Sequence, residues 1–297
     1  MSSCIYLREK NYKYTCYYCH RRYDNQKHRY VCLICNLIQC YVSDLTLNKI
    51  GTSMLNTKKQ NINIIFVISL EKDTDRWDLF VKRSTKYNIG NRQLVRYLGI
   101  DGSQPNSLES MINYIFPIDS IGKTRVNYYK QKYRGSTGCY LSHLSCWIHI
   151  LNNYKYEDYV LIMEDDAYFK RTGPFNMELI INKIKHINWD ILYLGHFDLH
   201  GKVINDIFVY PEYVDSRYDK LSYNVGFFGY IIKVSSLPKL ISIVSEFDRP
   251  FIDEGVRYRF GPNNNQISPL FLNSKIILHY DHNDYTSVRK DIDNNIP

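Results

Sequence analysis

The sequence is poor in several things. Ala167 is its only alanine in 297 residues, and usage leans on Tyr, Asn, Ile and Lys instead. That skew reads as A/T-rich codon bias, shared by parasites, some bacteria and large DNA viruses, and it decides little about function. No apolar run approaches the roughly 18 residues that a membrane-crossing helix needs. The longest, residues 64–70, has the length of a strand. The start lacks the basic-then-apolar pattern of a secretory signal, so a cytoplasmic location is expected, in the host cytoplasm or a virion if the source is viral. No long polar tract is present and aromatic residues make up 15% of the chain, which argues against intrinsic disorder. Length and composition together suit one domain carrying a small appendage.

The formal net charge of +8 invites a nucleic-acid reading, but its distribution is uneven. Residues 1–50 hold eight basic and three acidic side chains, which is +5 of the total and leaves +3 for the remaining 247 residues. The head is basic and the body nearly balanced.

The head is also where cysteine collects, with six of the eight inside the first forty residues. Four of them, Cys16-x2-Cys19 and Cys32-x2-Cys35, form paired knuckles that can present two thiolates each to one tetrahedral Zn²⁺. So short a segment cannot bury a core that folds alone, so metal binding would supply much of its folding energy. A disulfide staple is disfavoured without a secretory signal. Cys40 or a nearby histidine is an alternative fourth ligand. The chain is therefore divided into a zinc-ribbon-like module at 1–45, a polar linker at 46–61 and a catalytic-sized body at 62–297.

From residue 62 the pattern changes. Residues 62–70 are nearly continuous Ile, Val and Phe, as in a strand buried on both faces. Helical spacing follows over 73–87. Further apolar runs at 93–98, 159–163, 190–194 and 229–234 alternate with helix-like segments. This alternation predicts an α/β fold with a mostly parallel sheet. In such sheets ligands bind beyond the carboxyl ends of the strands, so chemistry is expected just after the apolar runs.

Three constellations occupy such places. The run at 159–163 leads directly into Glu164-Asp165-Asp166. Three acids at the end of a buried strand need compensation by hydrogen bonds or a cation, and Mg²⁺ or Mn²⁺ is the natural hard partner. A solvated acidic turn has the same composition and remains the alternative. The second is Gly135-Ser136-Thr137-Gly138-Cys139-x2-Ser142-His143-x3-Trp147, read as a helix beginning near Gly138, capped by Ser136 or Thr137, with small residues that let an anion approach. The basic residues Lys123, Arg125, Lys130, Lys132 and Arg134 precede it and suit a diphosphate better than nucleic acid. Cys139, His143 and Cys146 share a helix face, though small buried cysteines and a hydrogen-bonded histidine account for them without a metal. The third is Asp253-Glu254 after Pro250, a carboxylate pair able to serve as a general base.

Taken in order, these segments resemble glycosyltransferase family 25, the lipooligosaccharide and procollagen galactosyltransferase-like group. The matching residues are Ser69-Leu70 and Arg76, Asp101-Gly102, the Gly135 to Trp147 helix, the apolar strand with Glu164-Asp165-Asp166, residues 190–195, Gly229-Tyr230, and Pro250-x2-Asp253-Glu254. The likeness spans roughly 62–290. Ser69 stands where the family commonly has Asn, the segment after Asn263 matches poorly, and the cysteine-rich head is outside the pattern.

The resemblance implies a GT-A type fold, a UDP-sugar donor, a Mn²⁺ or Mg²⁺ ion, and a glycan or protein acceptor. It implies that Asp166 holds the ion, with Glu164 and Asp165 on ribose or on water bound to the ion, and His279 or His282 completing the shell. Asp253, with Glu254 as second choice, becomes the base of an inverting displacement. Arg76 and Asp101 help to bind the nucleotide, together with Ser69, Leu70, Gly102, Gly138, Ser142 and His143 lining the donor side. Two other classes stay open. One is a nucleic-acid-binding or nuclease-like protein that grips phosphates through the basic zinc module. The other is an inactive transferase-fold scaffold whose head docks to a protein partner.

Overall fold

In a computed structural model of the chain, the described residues are 6–8, 13–16, 22–24, 62–86, 92–116, 121–130, 132–155, 157–169, 177–196, 199–205, 207–211, 226–246, 251–253, 256 and 266–279. The head contributes three short strands, β1 (Tyr6–Arg8), β2 (Lys13–Cys16) and β3 (Arg22–Asp24), paired antiparallel in that order. The expected zinc ligands Cys19, Cys32 and Cys35, the side chain of Cys16 and the 46–61 linker lie outside the described residues.

Beyond the head the chain divides into two compact units, Gly99–Asp158 with Lys233–Val256, and Asn61–Leu98 with Tyr159–Ile232 and the described part of Arg257–Pro297. The second unit is built on a sheet. Its strands are β4 (Ile62–Ser69), β5 (Gln93–Leu98), β6 (Tyr159–Glu164), β8 (Ile191–Tyr193), β9 (Gly201–Ile204), β10 (Phe208–Pro211), β11 (Gly229–Lys233) and β12 (Pro269–Leu272), in the spatial order β5-β4-β6-β11-β8-β12-β10-β9. A separate two-stranded ladder pairs β7 (Ala167–Phe169) with β13 (Ile277–His279). The pairs β4–β5, β4–β6 and β8–β12 are parallel, whereas β8–β11, β10–β12 and β9–β10 are antiparallel. The α/β alternation read from the sequence is therefore present, with the antiparallel hairpin β9–β10 at one edge. That hairpin turns through Asn205 at φ 54°, a left-handed conformation that asparagine tolerates better than most residues.

β4 explains its own sequence. Only Asn63 is exposed along it, because the strand has neighbours on both sides and packing on both faces. Its Ile65 and Val67 join Leu161, Met163, Leu192, Ile231 and Leu270 in one apolar core. Trp189 closes that core, stacked on Tyr159 with ring centroids 5.5 Å apart. Helices α1 (Thr74–Lys86) and α5 (Met177–Ile184) belong to the same unit.

The other unit is helical: α2 (Pro105–Ile115), α3 (Ile121–Tyr129), α4 (Arg134–Asn153) and α6 (Leu237–Val244). α4 is its axis. Leu141, Leu144, Trp147, Ile150 and Leu151 are all buried along it. Tyr140 reaches from α4 to donate to the Val244 carbonyl at 2.9 Å, and burial pushes its phenol far above the ordinary range. Among the described residues no helix is long and apolar enough to cross a membrane.

Leu161 is wholly buried in β6. Truncation to alanine is expected to cost about 2–5 kcal/mol, read as a lower urea midpoint at an unchanged denaturant slope. A midpoint equal to that of the wild type would mean that this strand is not central to the core.

Candidate active site

Parallel pairing brings three strand ends to one edge of the sheet. Ser69 lies opposite Leu98, and Ile68 lies opposite Glu164. The acidic turn begins there and is pinned by backbone on two sides: Asp165 N donates to Ile68 O at 3.1 Å, and Glu164 N donates to Phe228 O at 3.0 Å. Ser69, Leu70 and Arg76 are thus gathered with Asp165 and Asp166, as the sequence suggested for a parallel sheet. The β7–β13 ladder adds a further neighbour, because it sets the His279 backbone opposite Ala167, the residue after Asp166. The His279 side chain, His282 and Glu254 lie outside the described residues.

The charges at this turn are organised by Arg76, which leaves the first turn of α1. Its Nη2 donates to Asp165 Oδ1 and to Asp166 Oδ2, the latter at 2.9 Å. Its Nη1 lies 3.6 Å from Asp73, on the residue before the helix. Asp165 is the deeper acid, with a side chain only 4% exposed. Burial pushes its carboxyl up to about 6, while Arg76 and the Ser69 hydroxyl pull the other way and Asp166 and Asp73 add to the rise. Arg76 is less deeply placed, so although burial opposes its charge, Asp166, Asp165 and Asp73 together hold it more firmly protonated than usual. Asp165 Oδ2 is buried and has no hydrogen-bond donor among the described residues.

Arg96 is a neighbour of this turn that sequence reasoning missed. From β5 its Nη2 donates to Leu70 O at 2.8 Å, to Ser69 Oγ at 3.2 Å and to Glu71 O at 3.4 Å. Its guanidinium also sits 5.4 Å over the Trp77 ring of α1, a cation–π contact. It therefore ties the loop after β4 to the helix that carries Arg76. The available signal was a lone cation inside the otherwise apolar end of Gln93–Leu98.

In the helical unit, Asp101 forms a tight turn in which Ser103 N and Oγ donate to its Oδ1 at 2.9 and 2.7 Å. Its carbonyl accepts from Gln104 N at 3.0 Å, at the entry to α2. The glycines nearby are packing residues. A Cβ on Gly102 would lie 2.0 Å from the Arg134 carbonyl oxygen, and one on Gly138 would lie 2.6 Å from that of Ile100. Ser142 completes the contact by accepting from Ile100 N and donating to Gly138 O, both at 2.7 Å.

Two sequence expectations are corrected here. The helix begins at Arg134 rather than near Gly138, and neither Ser136 nor Thr137 caps it. Thr137 Oγ1 instead donates back to Tyr133 O at 2.8 Å, inside the first turn. Of the two cysteines read as small buried residues, Cys146 is buried with its thiol pushed up by burial, whereas Cys139 is exposed. His143 is fully buried. The basic stretch is partly committed within the unit: Lys130 pairs with Glu109, Arg125 donates to Glu246 O at 2.7 Å, and Lys132 lies 5.3 Å over the Tyr133 ring. Asp253 is half-buried, two residues past Phe251, whose ring meets Tyr133 at 5.1 Å.

What the turn offers chemically is a set of carboxylate oxygens, those of Asp165 buried and those of Glu164 and Asp166 partly exposed. Such donors fit a hard divalent cation, and the buried Asp165 Oδ2 keeps a lone pair available for one.

Comparison with known proteins gives four matches. A family model described as "Glycosyltransferase family 25 (LPS biosynthesis protein)" matches residues 62–254. Human procollagen galactosyltransferase 2 is 23% identical over 195 residues, 62% of this chain and 28% of that protein. A bovine protein named probable inactive glycosyltransferase 25 family member 3 is 23% identical over 192 residues, 62% of this chain and 29% of that protein. The chain spans less than a third of the length of these relatives. A solved structure titled as a glycosyltransferase involved in the glycosylation of the major capsid of PBCV-1 is similar over 71% of this chain and 81% of that chain, at TM-score 0.38 and 9% identity.

Gly135 and Gly138 make a paired test. Both are helical, yet nothing stands within 4 Å of a Cβ at Gly135, while backbone fills that place at Gly138. Gly135→Ala is expected to raise stability by about 0.5–1 kcal/mol, whereas Gly138→Ala should lower it by about 1–3 kcal/mol, compared by thermal unfolding. A pH series tests Asp165. Its folded carboxyl keeps a proton up to about 6, and an unfolded aspartate releases it near about 4. The folded state binds more protons in that window, so this contribution to stability declines as pH rises through it. Asp165→Asn should abolish that decline in urea titrations between these values, and an unchanged slope would rule the carboxyl out as its source.

Proposed function

The chain belongs to glycosyltransferase family 25, and from that membership we propose that it is a metal-dependent transferase of GT-A type. It moves a hexose, galactose or glucose in type, from a UDP-sugar to a hydroxyl of a glycan or protein acceptor, with inversion. The observation that carries this reading is the acidic turn at the ends of β4 and β6, where oxygens of Asp165 and Asp166 converge on Arg76. Two of the relatives are named for related chemistry or for its loss, one a procollagen galactosyltransferase and one a probable inactive member.

In this reading Asp166 and Glu164 hold Mn²⁺ or Mg²⁺, with Asp165 beside them and His279 or His282 completing the shell. The bound ion supplies electrostatic stabilisation to the diphosphate as negative charge develops on it. Ser69 and Leu70 line the nucleotide side on a loop held by Arg96, and Arg76 supplies positive charge next to them. Asp101, Gly102, Gly138, Ser142 and His143 act by shaping the turn after β5 and its helix, rather than by direct contact through the glycines. Asp253, or Glu254 after it, takes the proton from the acceptor hydroxyl as that oxygen attacks the anomeric carbon and the diphosphate departs. The basic head, with Cys16, Cys19, Cys32 and Cys35 on structural Zn²⁺, serves as a contact for a protein or nucleic acid.

A second reading, an inactive scaffold, is favoured by the inactive relatives and separates cleanly in one assay. The full chain is incubated with UDP-galactose and UDP-glucose in Mn²⁺, and UDP release is followed with and without EDTA. Turnover abolished by EDTA and restored by Mn²⁺ is expected. Asp166→Ala should lower kcat by about a hundredfold or more at an unchanged unfolding temperature. Full turnover in Asp166→Ala removes the metal reading, and no thermal shift with any UDP-sugar selects the scaffold.

A further inference from the structure

The guanidinium at the acidic turn is poorly satisfied where it rests. Arg76 reaches both Asp165 and Asp166 through the single nitrogen Nη2. Its Nε is buried with no acceptor among the described residues, and its Nη1 is 3.6 Å from Asp73, beyond hydrogen-bond length. A guanidinium carries five donors in a rigid fork that matches a carboxylate or phosphate two-pronged. Here one nitrogen serves two carboxylates, and Nε has no acceptor among the described residues. On the acid, the Oδ2 atom of Asp165 is buried with no donor among the described residues. Each partner of this pair thus keeps one buried polar atom without a hydrogen bond among the described residues.

Resting on the reading of the turn as a site for a divalent ion and a diphosphate, we infer that Arg76 is an exchangeable counter-ion. In the ligand-free protein it pairs with Asp165 and Asp166 and offsets part of their charge. When a nucleoside diphosphate enters with its ion, the fork turns to the phosphate oxygens and the carboxylates pass to the ion. Each group then gains what it lacks: two-pronged acceptors for the arginine and a hard cation for the acids. The exchange needs only side-chain rotation, because Arg76 is anchored in the first turn of α1 and 24% exposed. Asp73, on the residue before the helix, is 3.6 Å from Nη1 in the resting position.

The consequence is coupling. A bare ion must displace a tethered cation and binds weakly, whereas the diphosphate removes that competitor. Ion and nucleotide therefore tighten one another, reciprocally.

Calorimetry or the electron paramagnetic signal of free Mn²⁺ measures this on the full chain, with and without UDP. For the wild type, UDP is expected to tighten Mn²⁺ by about tenfold or more. Arg76→Gln should tighten bare Mn²⁺ by about tenfold and shrink the effect of UDP to about threefold or less. Arg76→Lys keeps a tethered charge without the fork, so bare Mn²⁺ should remain weak while the UDP effect falls. Unchanged bare-ion affinity in Arg76→Gln, with Asp166→Ala abolishing binding, overturns the counter-ion and leaves the metal site standing. Lys behaving like Gln overturns it too, because charge is then not what competes. No Mn²⁺ binding in any variant, with or without UDP, removes the metal reading and this inference together.

Discussion

Everything at the acidic turn depends on the parallel pairing of β4 with β6. That register decides which residues stand at the carboxyl edge of the sheet, and the amide of Asp165 continues it by donating to Ile68 O. A slip of one residue would turn the apolar set of either strand to the wrong face and carry Asp165 out of reach of Arg76. Because β4 is buried on both faces, such a slip would be costly along its whole length. The precision of the site is thus borrowed from the core.

Burial and charge oppose one another at this edge, and neither wins outright. A carboxylate as deeply placed as Asp165 resists ionisation, so its carboxyl rises to about 6 although a guanidinium touches it. Arg76 is nearer to solvent and surrounded by three acids, so it stays firmly charged. The turn is therefore electrically unfinished in the free protein. Replacing a buried ion pair with apolar side chains is often harmless to stability, which makes function a better reason for keeping one here.

The features legible in the sequence were those written in local chemistry. β4 showed itself as a continuous apolar run because a central strand needs one, and the acids followed the run at 159–163 without a gap. What was not legible depended on partners far away in the chain. Arg96 looked like an ordinary strand cation until its three carbonyl and hydroxyl acceptors near Leu70 were seen. Gly138 suggested an anion cradle, but its missing Cβ makes room for the Ile100 carbonyl, a contact no local pattern announces. Thr137 had the composition of a cap, and an upstream carbonyl claimed it instead. The β7–β13 ladder, which sets His279 beside the turn, joins segments more than a hundred residues apart and left no periodic trace.

The long reach of these contacts has a kinetic side. Arg76 and Asp165 are 89 residues apart in the chain, and no shorter route joins β4 to its partner β6. A growing chain exposes β4 well before β6 has been made, and closing so large a loop is slow. During that interval β4 has α1 and β5 to pack and pair with but lacks its second edge partner. The strand that gives the finished site its accuracy is thus one that waits long, in the nascent chain, for its last edge to be paired.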